Sequence, residues 1–182
     1  MSSQKRNAKL NQLLLDLNST DPKIISKSIR AMEKHGNASV IRPICELLLK
    51  ELSDKNRKEA IELLSSLKDS SICVELMDVI NDKKFQSIRQ TLLTTVWNTK
   101  VDFSGYIDDF VLIATEGLFL ETMDCLTIIE NLEGPFMEED LLECQLHLKN
   151  YLESEAPKDM QKSELLSEIA ILVKKFNMEL MD

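Results

Sequence analysis

The chain has 182 residues, enough for one domain with a sizeable core, and holds only four glycines and four prolines. Leu, Ile, Glu, Lys and Asp dominate, which favours helix, because straight-chain side chains lose little rotamer freedom there and no long Val, Thr or Tyr runs compete. The net charge of −9 is unevenly spread, with 17 basic and 12 acidic side chains in residues 1–100 against 5 and 19 in residues 101–182; such a balance argues against nucleic-acid binding, and no apolar run is long enough to suggest a membrane span.

Residues 1–6 are expected to fray, and residues 7–18 to form a capping helix with Leu10, Leu13, Leu14 and Leu17 on one face. The start has a basic patch but no sustained apolar core and no small-residue cleavage signal, so no leader is read there. A first helical hairpin follows. Ser19, Thr20 and Asp21 are all good N-caps, and Pro22 suits the first helical position. Its A helix runs to about His35 with Ile25, Ile29 and Met32 inward, and Gly36 ends it. Its B helix carries Ile41, Ile44, Leu47 and Leu48, with Pro43 in the opening turn or at a bend.

The pattern then returns 32 residues on. Ile29, Met32, Val40, Ile44 and Leu48 are echoed by Ile61, Leu64, Ile72, Leu76 and Ile80. In this second hairpin Ser53 or Asp54 caps an A helix with Ala60, Ile61, Leu64 and Leu67 inward. Asp69 and Ser70 form the turn, and Ile72, Leu76, Val79 and Ile80 line the B helix. The third hairpin is looser. Its A helix spans about 84–98 with Phe85, Ile88, Leu92 and Val96. A longer turn leads to a B helix at about 105–116 with Ile107, Phe110, Val111 and Ala114, stopped by Gly117. The fourth has an A helix at about 118–132, with Cys125, Leu126, Ile129 and Leu132. After Gly134-Pro135 comes a B helix at about 137–154, with Leu141, Leu142, Leu146 and Tyr151 inward. A closing helix near 158–178 buries Leu165, Leu166, Ile169, Leu172, Val173 and Phe176. Ser28, Ala60 and Cys125 occupy equivalent small-residue positions where A helices approach closely.

The run Asp21-Pro22-x-Ile24-Ile25-x-x-Ser28-Ile29-x-x-Met32, then Gly36-Asn37-x-x-Val40-Ile41-x-Pro43-Ile44-x-x-Leu47-Leu48, resembles a HEAT repeat, and the second hairpin is similar. The resemblance is good over about 60 residues and looser over about 135. It implies an all-α right-handed superhelix of about four hairpins in residues 21–155, capped by helices at 7–18 and 158–180, as one domain over 1–182. It departs from the family in the polar ladder between hairpins. The turn residues are Asn37 and Asp69, and Glu75 stands about where a basic partner is usual.

In HEAT-like stacks the B helices usually line the concave surface. Here they are acidic, with Glu75, Asp78 and Asp82 in the second, Asp108 and Asp109 in the third, and Glu138, Glu139, Asp140 and Glu143 in the fourth. The expected function is a non-enzymatic scaffold or adaptor whose acidic B face recruits a basic protein segment, through Glu75, Asp78, Asp108, Asp109, Glu139, Glu143 and His147. A solvated face that only keeps the protein in solution is the plainer alternative. The resemblance also admits an enzyme of bilin-lyase type, or a structural subunit that packs on its own copy.

Glu139, Glu143 and His147 form one helical stripe beside Cys144, but a structural zinc site needs four ligands and His35 is the only other histidine. No metal site and no cofactor is therefore expected. No GxSxG and no Gly-rich phosphate loop occurs, and no catalytic residue is assigned. Trp97, Phe103 and Tyr106 flank the long turn as a ligand anchor or, more simply, a plug. The four cysteines, Cys45, Cys73, Cys125 and Cys144, lie within helical patterns without a CxxC pair, which suits a reducing, cytoplasmic setting.

Overall fold

A computed structural model describes residues 2–33 and 37–180, with residues 2–7 as backbone only. The described residues form ten α-helices and three short 3-10 segments, with no strand among them. The chain divides into two compact units, Met1–Val101 and Asp102–Asp182. The division falls at the charge boundary in the sequence, so the first unit is mildly basic and the second strongly acidic.

The first unit holds α1 (Ser2–Asp16), α2 (Pro22–Met32), α3 (Ile41–Leu48), α4 (Asp54–Ser66), α5 (Ile72–Asn81) and α6 (Arg89–Thr99). The helix starts follow local chemistry. The Asp21 carboxylate accepts the Lys23 N–H at 2.8 Å with Pro22 opening α2, and the Ser53 hydroxyl caps α4. Pro43 stands in the first turn of α3, where a missing N–H costs nothing. α1 begins at Ser2, earlier than expected. α2 ends at Met32, and the expected His35 terminus and Gly36 stop lie outside the described residues.

α1, α2, α4 and α6 pack in succession, as do α3 and α5. Ile29, Met32, Val40, Ile44 and Leu48 are buried, as are Leu64, Ile72, Leu76 and Ile80; Ile61 is half-buried, and Leu63 takes the deeper place beside it. Each such aliphatic side chain contributes roughly 1.5–3 kcal/mol on burial, which offsets the entropy of ordering short helices. Polar rungs join the same helices. Ser28 Oγ donates to the Leu13 carbonyl at 2.7 Å, Asn56 Nδ2 to the Pro22 carbonyl at 3.1 Å, and Arg30 to Glu59 at 2.8 Å. The small Ser28 and Ala60 are buried at these close approaches. The segment expected as one helix from Lys84 winds more tightly at first. It is 3-10 over Lys83–Ile88, started by Asp82 accepting the Lys84 N–H at 2.9 Å.

The second unit holds α7 (Ile107–Glu116), α8 (Phe119–Glu130), α9 (Glu138–Glu153) and α10 (Met160–Glu179). α7 packs on α8 and α9, and α10 on α8 and α9. Phe103 and Phe110 are fully buried edge to face, their ring centres 6.2 Å apart. Phe103 also contacts Tyr106, so these two rings form a plug within the unit, while Trp97 of the first unit is partly exposed. The inward face of α9 needs correcting. Leu141 is buried, but Leu142 and Leu146 are 53% and 47% exposed, and Cys144 and Leu148 take the inward places. Leu141, Cys144 and Leu148 recur at helical spacing on the buried face of α9, which packs on α7 and α10, and Leu142 and Leu146 fall off that face.

Candidate functional site

The acidic residues named from the sequence divide into two groups that the structure treats differently. In the first unit, Arg42 projects from α3 between two carboxylates of α5 and its C-cap. It lies 3.4 Å from Glu75 and 3.1 Å from Asp82. Arg42 also sits over the Phe85 ring at 5.6 Å, next to Lys84, which pairs with Glu46. The Lys84 N–H and the guanidinium hold the Asp82 carboxyl below its usual range. Glu75 is thus already paired, whereas Asp78 is exposed on the neighbouring turn of α5.

The carboxylates named on α7 and α9 are placed differently. α7 has no basic residue, and the one lysine of α9, Lys149, pairs with Glu153 at 3.8 Å. Asp108 and Asp109 are half-exposed in the first turn of α7, and Glu139 and Glu143 are exposed on α9. Among the described residues, no ion pair engages Asp108, Glu139, Asp140 or Glu143. Burial pushes the Asp140 carboxyl above the ordinary range, and nearby Asp108 and Glu139 push it further. Burial also raises the Cys144 thiol to about 12, with Asp108, Asp140 and Glu143 adding to the effect. Asp140 is therefore the residue at the junction of α7 and α9. It was hidden in the sequence among adjacent acids, although Asp140, Cys144, His147 and Tyr151 share the helical spacing that faces α7.

His147 lies one turn beyond Glu143 on the same helix. It lines a groove of about 560 Å³ farther along the same two helices. Leu112 of α7, Leu118, Phe119 and Tyr151 give this groove apolar walls, and Leu118 is 78% exposed. Glu116 and Asp159 stand at its edge. Its one lysine is committed elsewhere. Lys162 Nζ donates to the Thr115 carbonyl at 2.7 Å and the Gly117 carbonyl at 2.6 Å, closing the C-terminal end of α7. Burial lowers the Lys162 pKa even with Glu121, Asp159 and Glu116 nearby.

The Cys144 thiol is buried and held protonated, which disarms it as a nucleophile beside His147. Among the described residues no three His, Cys, Asp or Glu side chains converge to hold a metal ion, and no helix is long and apolar enough to cross a membrane. No family model matches the chain, and no characterised protein matches it in sequence.

Proposed function

We propose that the protein is a non-enzymatic binding module of HEAT-like α-solenoid form, and that the acidic ridge where α7 meets α9 recruits a basic segment of a partner protein. The solenoid part is supported by packing within each unit. α2, α4 and α6 form one succession and α3 and α5 another, and α8 with α10 and α7 with α9 repeat that arrangement. Four buried cysteines without a disulfide suit a reducing, cytoplasmic setting.

The observation that carries the binding reading is the contrast between two sets of carboxylates. Glu75 of α5 and Asp82 at its C-cap meet Arg42, while Asp108 and Glu139 stand near Asp140. Like charges gathered without a counterion raise the local negative potential, and a basic segment relieves it on docking. The test titrates a fluorescent peptide of alternating Lys, Arg and Ser against the full chain and its Asp108→Asn/Asp140→Asn variant. Binding is expected to weaken about tenfold in the variant, and to weaken strongly as salt shortens the screening length from ~10 Å at 0.1 M to ~3 Å at 1 M. Equal affinity for both proteins, insensitive to salt, overturns the reading.

A further inference from the structure

Resting on that reading, we infer that the groove beside the ridge takes a large apolar side chain of the same partner segment, so that the ligand is an amphipathic basic peptide rather than a merely cationic one. The groove and the ridge share two helices. Asp108 and Leu112 are one turn apart on α7, and Asp140 and His147 are two turns apart on α9. At 1.5 Å per residue the seven residues from Asp140 to His147 span about 10 Å, within reach of one short peptide.

The chemistry of the groove selects the occupant. Its volume of about 560 Å³ falls in the range of pockets that enclose sizeable apolar groups. Leu118 is held out in water at its lip, where a partner side chain would cover it. An anionic occupant is disfavoured twice. Glu116 and Asp159 rim the opening, and the Lys162 ammonium is already bound to two backbone carbonyls. A cationic chain with an apolar anchor satisfies both the walls and the rim.

Two peptides of identical Lys and Arg content, one with Phe and one with Ser at the anchor position, are titrated against three proteins. These are the wild type, Leu118→Ser and Asp108→Asn/Asp140→Asn. Leu118 is on the surface, so unchanged helical circular dichroism is expected for its variant. The wild type is expected to bind the Phe peptide at least fivefold more tightly than the Ser peptide. Leu118→Ser is expected to erase that preference while leaving Ser-peptide affinity intact. Equal binding of the two peptides by the wild type, or a preference that survives Leu118→Ser, overturns the inference. If the wild type self-associates in sedimentation and Leu118→Ser abolishes this, the occupant is a second copy and the inference fails. Failure of the ridge reading looks different, because the Ser peptide then binds wild type and Asp108→Asn/Asp140→Asn alike.

Discussion

Arg42 of α3 reaches Asp82 at 3.1 Å across 40 residues of sequence, and Glu75 at 3.4 Å across 33. One guanidinium thereby occupies Glu75, one of the acids that the sequence assigns to a partner, together with the neighbouring Asp82. Both sides of the contact are more than a third exposed, so solvent screening leaves it little worth in stability. Its larger consequence is electrostatic. We expect Arg42→Gln to lower the melting temperature only slightly but to uncover Glu75 and Asp82 next to Asp78. In the Asp108→Asn/Asp140→Asn background, the added Arg42→Gln change should restore measurable, salt-sensitive affinity for a basic peptide. No gain of affinity would mean the first unit offers no usable acidic face even when its arginine is gone.

That arginine also marks the limit of what sequence conveys. Apolar periodicity is a one-dimensional signal, and the 32-residue echo translated into burial at Val40, Ile44, Leu48, Ile72, Leu76 and Ile80. It misled on α9, where Leu141, Leu142 and Leu146 compete with Leu141, Cys144 and Leu148 for the inward stripe. The approach of α7 decides between them, and the sequence does not print that approach. Acidic residues were legible by position, but ion pairing between distant residues was not. The groove left no motif at all, because it is assembled from the end of α7, the start of α8, one face of α9 and the segment leading into α10.

Leu64 tests the core of the first unit. It is fully buried on α4, which packs on both α2 and α6. Leu64→Ala leaves a cavity that these helices can close only in part, and a loss of about 2–5 kcal/mol in unfolding free energy is expected. Urea denaturation followed by helical circular dichroism reads this directly. A loss below about 1 kcal/mol would show that the site collapses freely or that Leu64 is not a core residue.

Buried thiols give a test independent of mutation. Cys45 and Cys144 are buried, and burial raises each thiol to about 12. The reactive thiolate is then scarce at neutral pH. Native protein should label with a chromogenic disulfide reagent only as fast as it opens, and all four cysteines should react at once in denaturant. Rapid labelling under native conditions would place one of these helices at a loose edge.

Asp140 links the ridge to stability. Its folded pKa lies above the ordinary value of 3.8, so between those two values the folded chain binds more protons than the unfolded chain. The resulting stability is fully present below 3.8 and is lost as pH rises through the folded pKa. Asp140→Asn removes the charge that Asp108 and Glu139 oppose. Its melting temperature should therefore exceed that of the wild type at pH 7, with the gap closing by pH 3. A position in the first turn of α9 works the other way, since a helix N-terminus favours an anion. A lower melting temperature for Asp140→Asn at pH 7 would show that this helix-end attraction outweighs repulsion across the ridge.

Gly117 and Lys162 close α7 together, and each can be tested alone. A Cβ on Gly117 would lie 2.7 Å from both Glu121 Oε2 and the Ile113 carbonyl oxygen. The first of these is the carboxylate that accepts the Leu118 N–H at 2.9 Å to start α8. Gly117→Ala must therefore displace either the end of α7 or the cap of α8, at a cost of about 1–3 kcal/mol. Lys162→Met keeps much of the side-chain length but leaves the Thr115 and Gly117 carbonyls without their charged donor, for a similar loss of about 1–3 kcal/mol. Since both changes act on one junction, the double variant should lose less than the sum of the two, measured by chemical denaturation of all four proteins. Strict additivity would mean that the turn at Gly117 and the lysine from α10 hold α7 by separate means.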